Sequence, residues 1–464
     1  MKITNDIKTT HGDLANTNVR FLEFVEKNPD SLKRSNFDLL ELNHQVFKLQ
    51  PWPTFINQYR KKEMEEAGIS ICNLIKTLPQ RLFNNDPYKI SQYYELPLHE
   101  AERQLKGISA PHLNNLLARG DFILSSSGLK CIEYNVTAHL GGWQIPMWES
   151  LYLSTPVIYK FMEENKPRII NQHLISVLLK HVIENALNNS YDNNAEINTA
   201  LVTPGKDFTD SDFTNLRLYM NHLYRRELEK KNKRLRGEVI FCMKDHLNVH
   251  DDFVFFRGKK LNALIEMYHG VITPGEVLNI MESGNISLYN GPIQELLSYK
   301  LNLALLSENE DSDFFTSEEK KRIKKYIPWT RKIIPGYTYY RGKKVDIKSF
   351  INGNRQDLII KPSVGYGGDG VHIGHKTAQN CWEQAIETAI KKKDWLVQEY
   401  IEPTSYLYQQ GENGCALHDT VWGFFVFGPY YAGEWIRVLP QVSNQGVINC
   451  HQGAEVSIVF EVEE

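Results

Sequence analysis

No apolar run in the chain approaches the length of a membrane span, so a spanning helix is not expected. Charge of one sign is also missing. Fifty-three Lys and Arg stand against 56 Asp and Glu, a net of −3, which gives no global attraction to nucleic acid or to an anionic membrane. Cysteine is scarce: the six residues are scattered with no Cys-x-x-Cys, which disfavours a disulfide framework or a zinc site and fits free thiols in a reducing compartment. The Met-Lys-Ile-Thr-Asn-Asp start has no apolar h-region, so a cytoplasmic location is the expectation. There is no internal repeat and no low-complexity tract. Several nucleotide-site signatures are missing too. No Gly-Lys-Ser/Thr closes a phosphate loop, no His-Arg-Asp or Asp-Phe-Gly occurs, and no Gly-x-Gly-x-x-Gly follows the first strand of the alternating region described below. What remains is an ordinary soluble composition, 42% hydrophobic and 23% charged, over 464 residues, enough for two or three domains.

The most informative stretch is Arg119-Gly-Asp121-Phe-Ile-Leu-Ser-Ser-Ser-Gly128-Leu-Lys-Cys-Ile-Glu133-Tyr-Asn135. Two apolar runs around a Ser/Gly turn predict a β-hairpin. A turn centred near Ser127 sets Asp121 across from Glu133 and Arg119 across from Asn135, all four on one face. Opposed carboxylates repel and need a cation. Asp, Glu and Asn oxygens beside an Arg suit Mg²⁺ carrying phosphate. A solvated face, with Arg119 neutralising Asp121, is the other reading, and the hairpin alone leaves both open.

Residues 1–115 read as mainly helical, interrupted where Pro51-Trp52-Pro53 forces extended chain. After the hairpin, His139 and the Gly141-Gly142-Trp143 run lie close to the proposed metal. His139 reads as an acid/base, a substrate contact or a structural loop residue. Helices are expected over 147–163 and 172–188, then a polar linker over 188–195. Strands at 199–203, 238–242 and 261–267 around a helix at 210–230 predict a small Rossmann-like parallel layer. The basic run from Arg225 to Arg236 reads as a solvated helix end, with a nucleic-acid patch as the alternative. A helix from Ile293 to about Ser307 is expected to contain Lys300.

The second informative stretch is Lys361-Pro-Ser363-Val-Gly365-Tyr366-Gly367-Gly368-Asp-Gly370. An apolar strand delivers a lysine, and glycines let consecutive amides curl around phosphate. A Rossmann loop would open a helix, but Val371-His-Ile-Gly374 reads as another strand. A plain hairpin is the alternative, although four glycines in six residues weaken a strand that has no close backbone contact to make. Gln398-Glu399-Tyr400-Ile401 ends an apolar strand. It reads either as a hinge for adenine and ribose or as a strand stopped at Pro403. Arg437 emerges from a core strand and needs a phosphate or an acidic side chain.

Lys361-Pro with its glycine loop, Val397-Gln-Glu399-Tyr-Ile and a strand bearing Arg437 together resemble the ATP-grasp fold. Glu133-Tyr-Asn135 precedes those elements by more than 200 residues. That order resembles the circularly permuted ATP-grasp proteins related to glutathionylspermidine synthase. The resemblance runs from about Ala118 to the end of the chain. It implies an α+β/α/β architecture: a helical N-terminal region (1–115), a metal-binding part (116–195), a Rossmann-like pre-ATP-grasp layer (196–290) and nucleotide-binding subdomains (291–464). It implies ATP and Mg²⁺, two ions, as cofactors, with Asp121, Glu133 and Asn135 on the metal and Arg119 at the reacting phosphate. Lys361, Ser363, Gly365, Tyr366, Gly367, Gly368 and Gly370 would hold phosphate, Gln398, Glu399, Tyr400 and Ile401 would hold adenine, and Arg437 would steady an acyl phosphate. A second phosphate lysine is also implied, Lys332 or Lys300. The implied activity is carboxylate–amine ligation on small-molecule or peptide substrates, without nucleic acid or membrane. A phosphotransferase and a non-catalytic nucleotide-binding partner are the alternatives.

Overall fold

The computed structural model describes residues 3–28, 47–108, 110–188, 196–203, 211–267, 275–365, 367–412, 414–443 and 446–464. It is a mixed α/β protein built on a seven-stranded sheet and two four-stranded ones.

In the seven-stranded sheet the strands run in the order Lys48–Leu49, Glu455–Ser457, Tyr430–Pro440, Gly414–Phe427, Leu117–Ser125 and Gly128–Val136, and Tyr406–Gln410 also pairs with Gly414–Phe427. Its faces differ because side chains alternate. Ala118, Phe122, Tyr134 and Phe424 pack inward, and the Phe122 and Phe424 rings stack at 4.6 Å. This face rests on the helix Gln58–Phe83, where the Tyr134 hydroxyl donates to Gly68 O at 3.0 Å. A Cβ on Gly68 would stand 3.3 Å from Val426, so glycine lets the helix backbone sit against the strand. Lys48–Leu49 pairs parallel with Glu455–Ser457, and Thr54–Asn57 pairs parallel with Val459–Glu463. The N-terminal helices are thereby laced to the C-terminal strands. The prolines at 51 and 53 sit between these two short strands, where the chain bends at 51 and 52.

The hairpin pairs Arg119 with Asn135 and Asp121 with Glu133. The turn itself is one half-step off the expected centre. Ser125 pairs with Gly128 and Phe122 with Cys131, and Ile132 is an extra residue that restores the register at Glu133. Such a bulge re-aims the backbone and recurs beside functional sites.

Ala263–Glu266, Thr199–Thr203 and Val239–Met243 form the expected parallel layer, with the helix Ser211–Lys231 crossing over, and Ser287–Tyr289 adds a fourth strand at its edge that the sequence reading did not include. The second four-stranded sheet is antiparallel, in the order Thr330–Lys332, Trp395–Glu399, Leu358–Pro362, His372–Ile373. The glycine loop therefore joins two paired strands and opens no helix.

Two expected helices are broken. Pro156 lacks an amide proton, so 147–163 divides into Ile145–Ser154 and Pro156–Asn165. The segment around Lys300 divides into Ile293–Ser298 and Leu301–Glu308, because Tyr299 is extended (ψ 128°) and the Lys300 amide donates to Ser363 O at 3.1 Å. Most of the expected linker at 188–195 lies outside the described residues, as does Tyr366. Among the described residues no helix is long and apolar enough to cross a membrane.

Candidate functional site

A cavity of about 770 Å³ opens between the seven-stranded sheet and the antiparallel four-stranded sheet. That volume lies within the range of small-molecule sites. The alternation along Leu117–Ser125 places Ile123, Asp121 and Arg119 on its wall in that order, about 7 Å apart. Ile132, Glu133, Asn135 and Thr137 line it from the partner strand. Opposite them stand Ile359, Lys361 and Gln398 from the four-stranded sheet. Residues more than 200 positions apart thus share one chamber.

Its charges interlock. Asp121 is buried and receives Arg119 Nε on Oδ1 at 2.7 Å and Arg437 NH2 on Oδ2 at 2.9 Å. Burial pushes this carboxyl upward, but the two guanidiniums outweigh it and hold it below the usual carboxylate range. Asn135 Nδ2 lies 3.5 Å from Asp121 Oδ2. Glu133 faces Lys300 at 3.1 Å, and Lys300 also donates to Gly365 O at 2.8 Å. Lys361 Nζ donates to Ile132 O at 2.7 Å, across the cleft at the bulge, and to Gln398 Oε1 at 2.9 Å. Burial, with Lys300 nearby, lowers its pKa to about 8, although Glu133 opposes the shift. Among the described residues, four basic side chains (Arg119, Lys300, Lys361, Arg437) line the cavity with three carboxylates (Asp121, Glu133, Asp369). The excess is positive, and Arg437 Nε is buried with no partner. A polyanion answers both the excess and the orphaned donor.

The two arginines differ. Arg119 donates to Asp121 through Nε and NH2, bonds Leu140 O through NH1, and stacks over Trp435 with 5.3 Å to the ring. It holds the 139–142 loop to the sheet. Gly423 makes this packing possible, since a Cβ there would fall 2.4 Å from the Trp435 indole nitrogen and 2.9 Å from Arg119 Cδ. Gly141 and Gly142 have φ of +69° and +85° and pack under Trp435 and Phe425. Neither Trp435 nor Gly423 was anticipated from sequence, although a glycine inside the strand Val421-Trp-Gly-Phe was a signal of close approach. His139 lines the cavity, and burial and then Arg119 lower its pKa.

The structure does not gather every expected residue here. Gly365, Gly367, Gly368, Gln398, Tyr400 and Ile401 reach the wall. Lys332 does not: it lies two strands from Lys361 on the same face, about 10 Å away, and bonds Tyr93 O and Glu95. The break at Tyr299 instead brings Lys300 to the cavity. Glu399 turns away to Tyr340 (3.0 Å) and Arg341 (3.1 Å). Ser363 anchors the Lys300 turn through its backbone carbonyl. Gly370 packs on Pro362 at φ +69°, a conformation that glycine tolerates.

Among the described residues no three His, Cys, Asp or Glu side chains gather as a cage for a metal ion. Asp121, Glu133 and Asn135 sit at paired positions on one face of the hairpin and could offer Mg²⁺ oxygen donors of the type it shares with phosphate.

No protein-family model matches the chain, and no curated protein matches it. Among solved structures, one carrying the name "Putative gamma-glutamylcysteine synthetase", from Methylobacillus flagellatus KT, resembles it at 11% identity and a TM-score of 0.41, over 84% of this chain and 88% of that one. So distant a likeness carries no residue roles.

Proposed function

We propose that this chain is an ATP- and Mg²⁺-dependent carboxylate–amine ligase on a circularly permuted ATP-grasp fold. One observation carries the reading: the Asp121/Glu133/Asn135 face shares a cation-rich cavity with Lys361, Lys300 and Arg437. The nucleotide would bind between the sheets, with Ile123, Ile132, Ile359, Val421, Tyr400 and Ile401 to hold its base and Lys361, Lys300, Gly365, Gly367 and Gly368 to hold its phosphates.

Asp121, Glu133 and Asn135 would hold Mg²⁺, which when bound would draw charge from the phosphate oxygens. Arg437, with Nε unpartnered, meets the γ-phosphate, while Arg119 keeps Asp121 and the 139–142 loop in place. A substrate carboxylate oxygen attacks the γ-phosphorus as the bridge to the β-phosphate breaks, which gives an acyl phosphate and ADP. An amine then attacks the acyl carbon, the C–O bond to phosphate breaks, and the nitrogen gives up its proton. His139, on the cavity wall, would receive that proton.

The test incubates the protein with Mg-ATP, ¹⁸O-labelled carboxylic acids and hydroxylamine as amine. Formation of ADP and ¹⁸O-bearing phosphate supports the reading. Formation of AMP and pyrophosphate, or of a stable phosphorylated product with no hydroxamate, overturns it.

A further inference from the structure

Behind the cavity wall a line of buried side chains runs from Lys361 into the antiparallel four-stranded sheet. Thr330 is paired with Gln398, and Gln398 with Ile359. Side chains alternate along a strand, so Thr330, Gln398 and Lys361 share one face across three strands. All three are buried. The Lys361 ammonium has three donors. One goes to Ile132 O at 2.7 Å and one to Gln398 Oε1 at 2.9 Å, which leaves a third for an anion in the cavity that Lys361 lines. Gln398 Nε2 donates in turn to Thr330 Oγ1 at 3.0 Å, and Thr330 Oγ1 donates to Pro328 O at 2.8 Å.

The threonine end fixes the direction of this line. A hydroxyl has one proton, and Thr330 commits it to Pro328 O, so Oγ1 meets Gln398 as an acceptor. Turned over, the amide would set its N–H groups against the Lys361 ammonium and its oxygen against a hydroxyl oxygen with no proton to give. Thr330 is itself held, because its amide donates to Ser307 Oγ at 3.0 Å, which also receives Arg331 NH1 at 2.8 Å. Ser307 belongs to the helix Leu301–Glu308, which follows directly on Lys300. One short helix therefore spaces the two cavity lysines, with Lys300 at its start and Lys361 tied to its far end through Ser307, Thr330 and Gln398. We propose that Thr330 and Gln398 are positioning residues for the phosphate lysine: Thr330 sets which way the Gln398 amide faces, and the amide oxygen aims the Lys361 ammonium at the phosphates. Gln398 thereby has a task other than the adenine contact that the family resemblance implies. The inference rests on the nucleotide-site reading above and deepens it.

Calorimetric titration with Mg²⁺ and a non-hydrolysable ATP analogue tests it on the unaltered protein, Thr330→Val, Lys361→Met and the double variant, with a melting temperature for each. Valine keeps the shape of Thr330 and removes its hydroxyl. Thr330→Val is expected to raise Kd about fivefold or more, and Thr330→Ser, which keeps the hydroxyl, by less than about twofold. In the Lys361→Met background the same valine is expected to change Kd by less than about twofold, because Thr330 acts through the lysine. Gln398→Met carries the same cycle if Thr330→Val does not fold. An unchanged Kd for Thr330→Val, or an equal loss with and without Lys361, overturns the proposal and leaves the nucleotide site standing. No binding by the unaltered protein overturns the nucleotide site and the proposal with it.

Discussion

Replacing Lys361 with Met separates the structural from the functional role of the lysine. Burial takes Lys361 from its ordinary 10.5 to about 8, which corresponds to about 3 kcal/mol of unfavourable burial for the charged form at neutral pH. Methionine removes that cost but orphans Ile132 O and Gln398 Oε1, at about 1–3 kcal/mol each. The two effects are of similar size, so the stability of the empty protein should change by no more than about 3 kcal/mol. Loss of a charge-assisted bond to phosphate costs about 1.5–3 kcal/mol, so affinity for a non-hydrolysable ATP analogue should fall about 10- to 100-fold. The pH dependence follows from the same value. The folded-state pKa lies below the unfolded one, so the empty protein gains stability as pH rises from about 8 towards 10.5. Nucleotide affinity runs the other way: flat up to about pH 7.5, then about tenfold weaker by pH 9 as the lysine loses its proton. Calorimetric titration with Mg²⁺ and the analogue from pH 6.5 to 9 measures both proteins, and Lys361→Met should show a flat profile. A variant that loses more than 4 kcal/mol of stability and binds the analogue normally would make Lys361 a structural group and refute this reasoning.

Gly423→Ala places a Cβ 2.4 Å from the Trp435 indole, so it should cost about 1–3 kcal/mol, alter the near-ultraviolet circular dichroism and reduce turnover. The two lysines should separate cleanly. Lys300→Met, at the cavity wall, should abolish turnover, while Lys332→Met, paired with Tyr93 O and Glu95, should lower the melting temperature and leave the analogue's Kd unchanged.

The hairpin was legible because strand alternation and a short turn constrain four polar residues to one face. The register nonetheless needed the extra Ile132, which a count from the turn does not reveal. Lys361 and Arg437 were legible as charges delivered by apolar strands. Lys300 could not be chosen over Lys332, because the choice depends on a helix break set by Ser363, 63 residues downstream of Lys300. The pairing of Lys48–Leu49 and Thr54–Asn57 with strands near the C-terminus is a contact across about 400 residues, which no local pattern encodes. Glu399 carries the expected residue type, but Tyr340 and Arg341 on a neighbouring hairpin claim its carboxylate.

The central claim is that the hairpin face is the metal-binding half of a nucleotide site. Calorimetric titration of the ATP analogue with and without Mg²⁺, against the unaltered protein and Glu133→Gln, tests it directly. The account predicts that Mg²⁺ tightens binding at least tenfold in the former and less than twofold in the variant, with both proteins folded. The same Mg²⁺ dependence in both would contradict it.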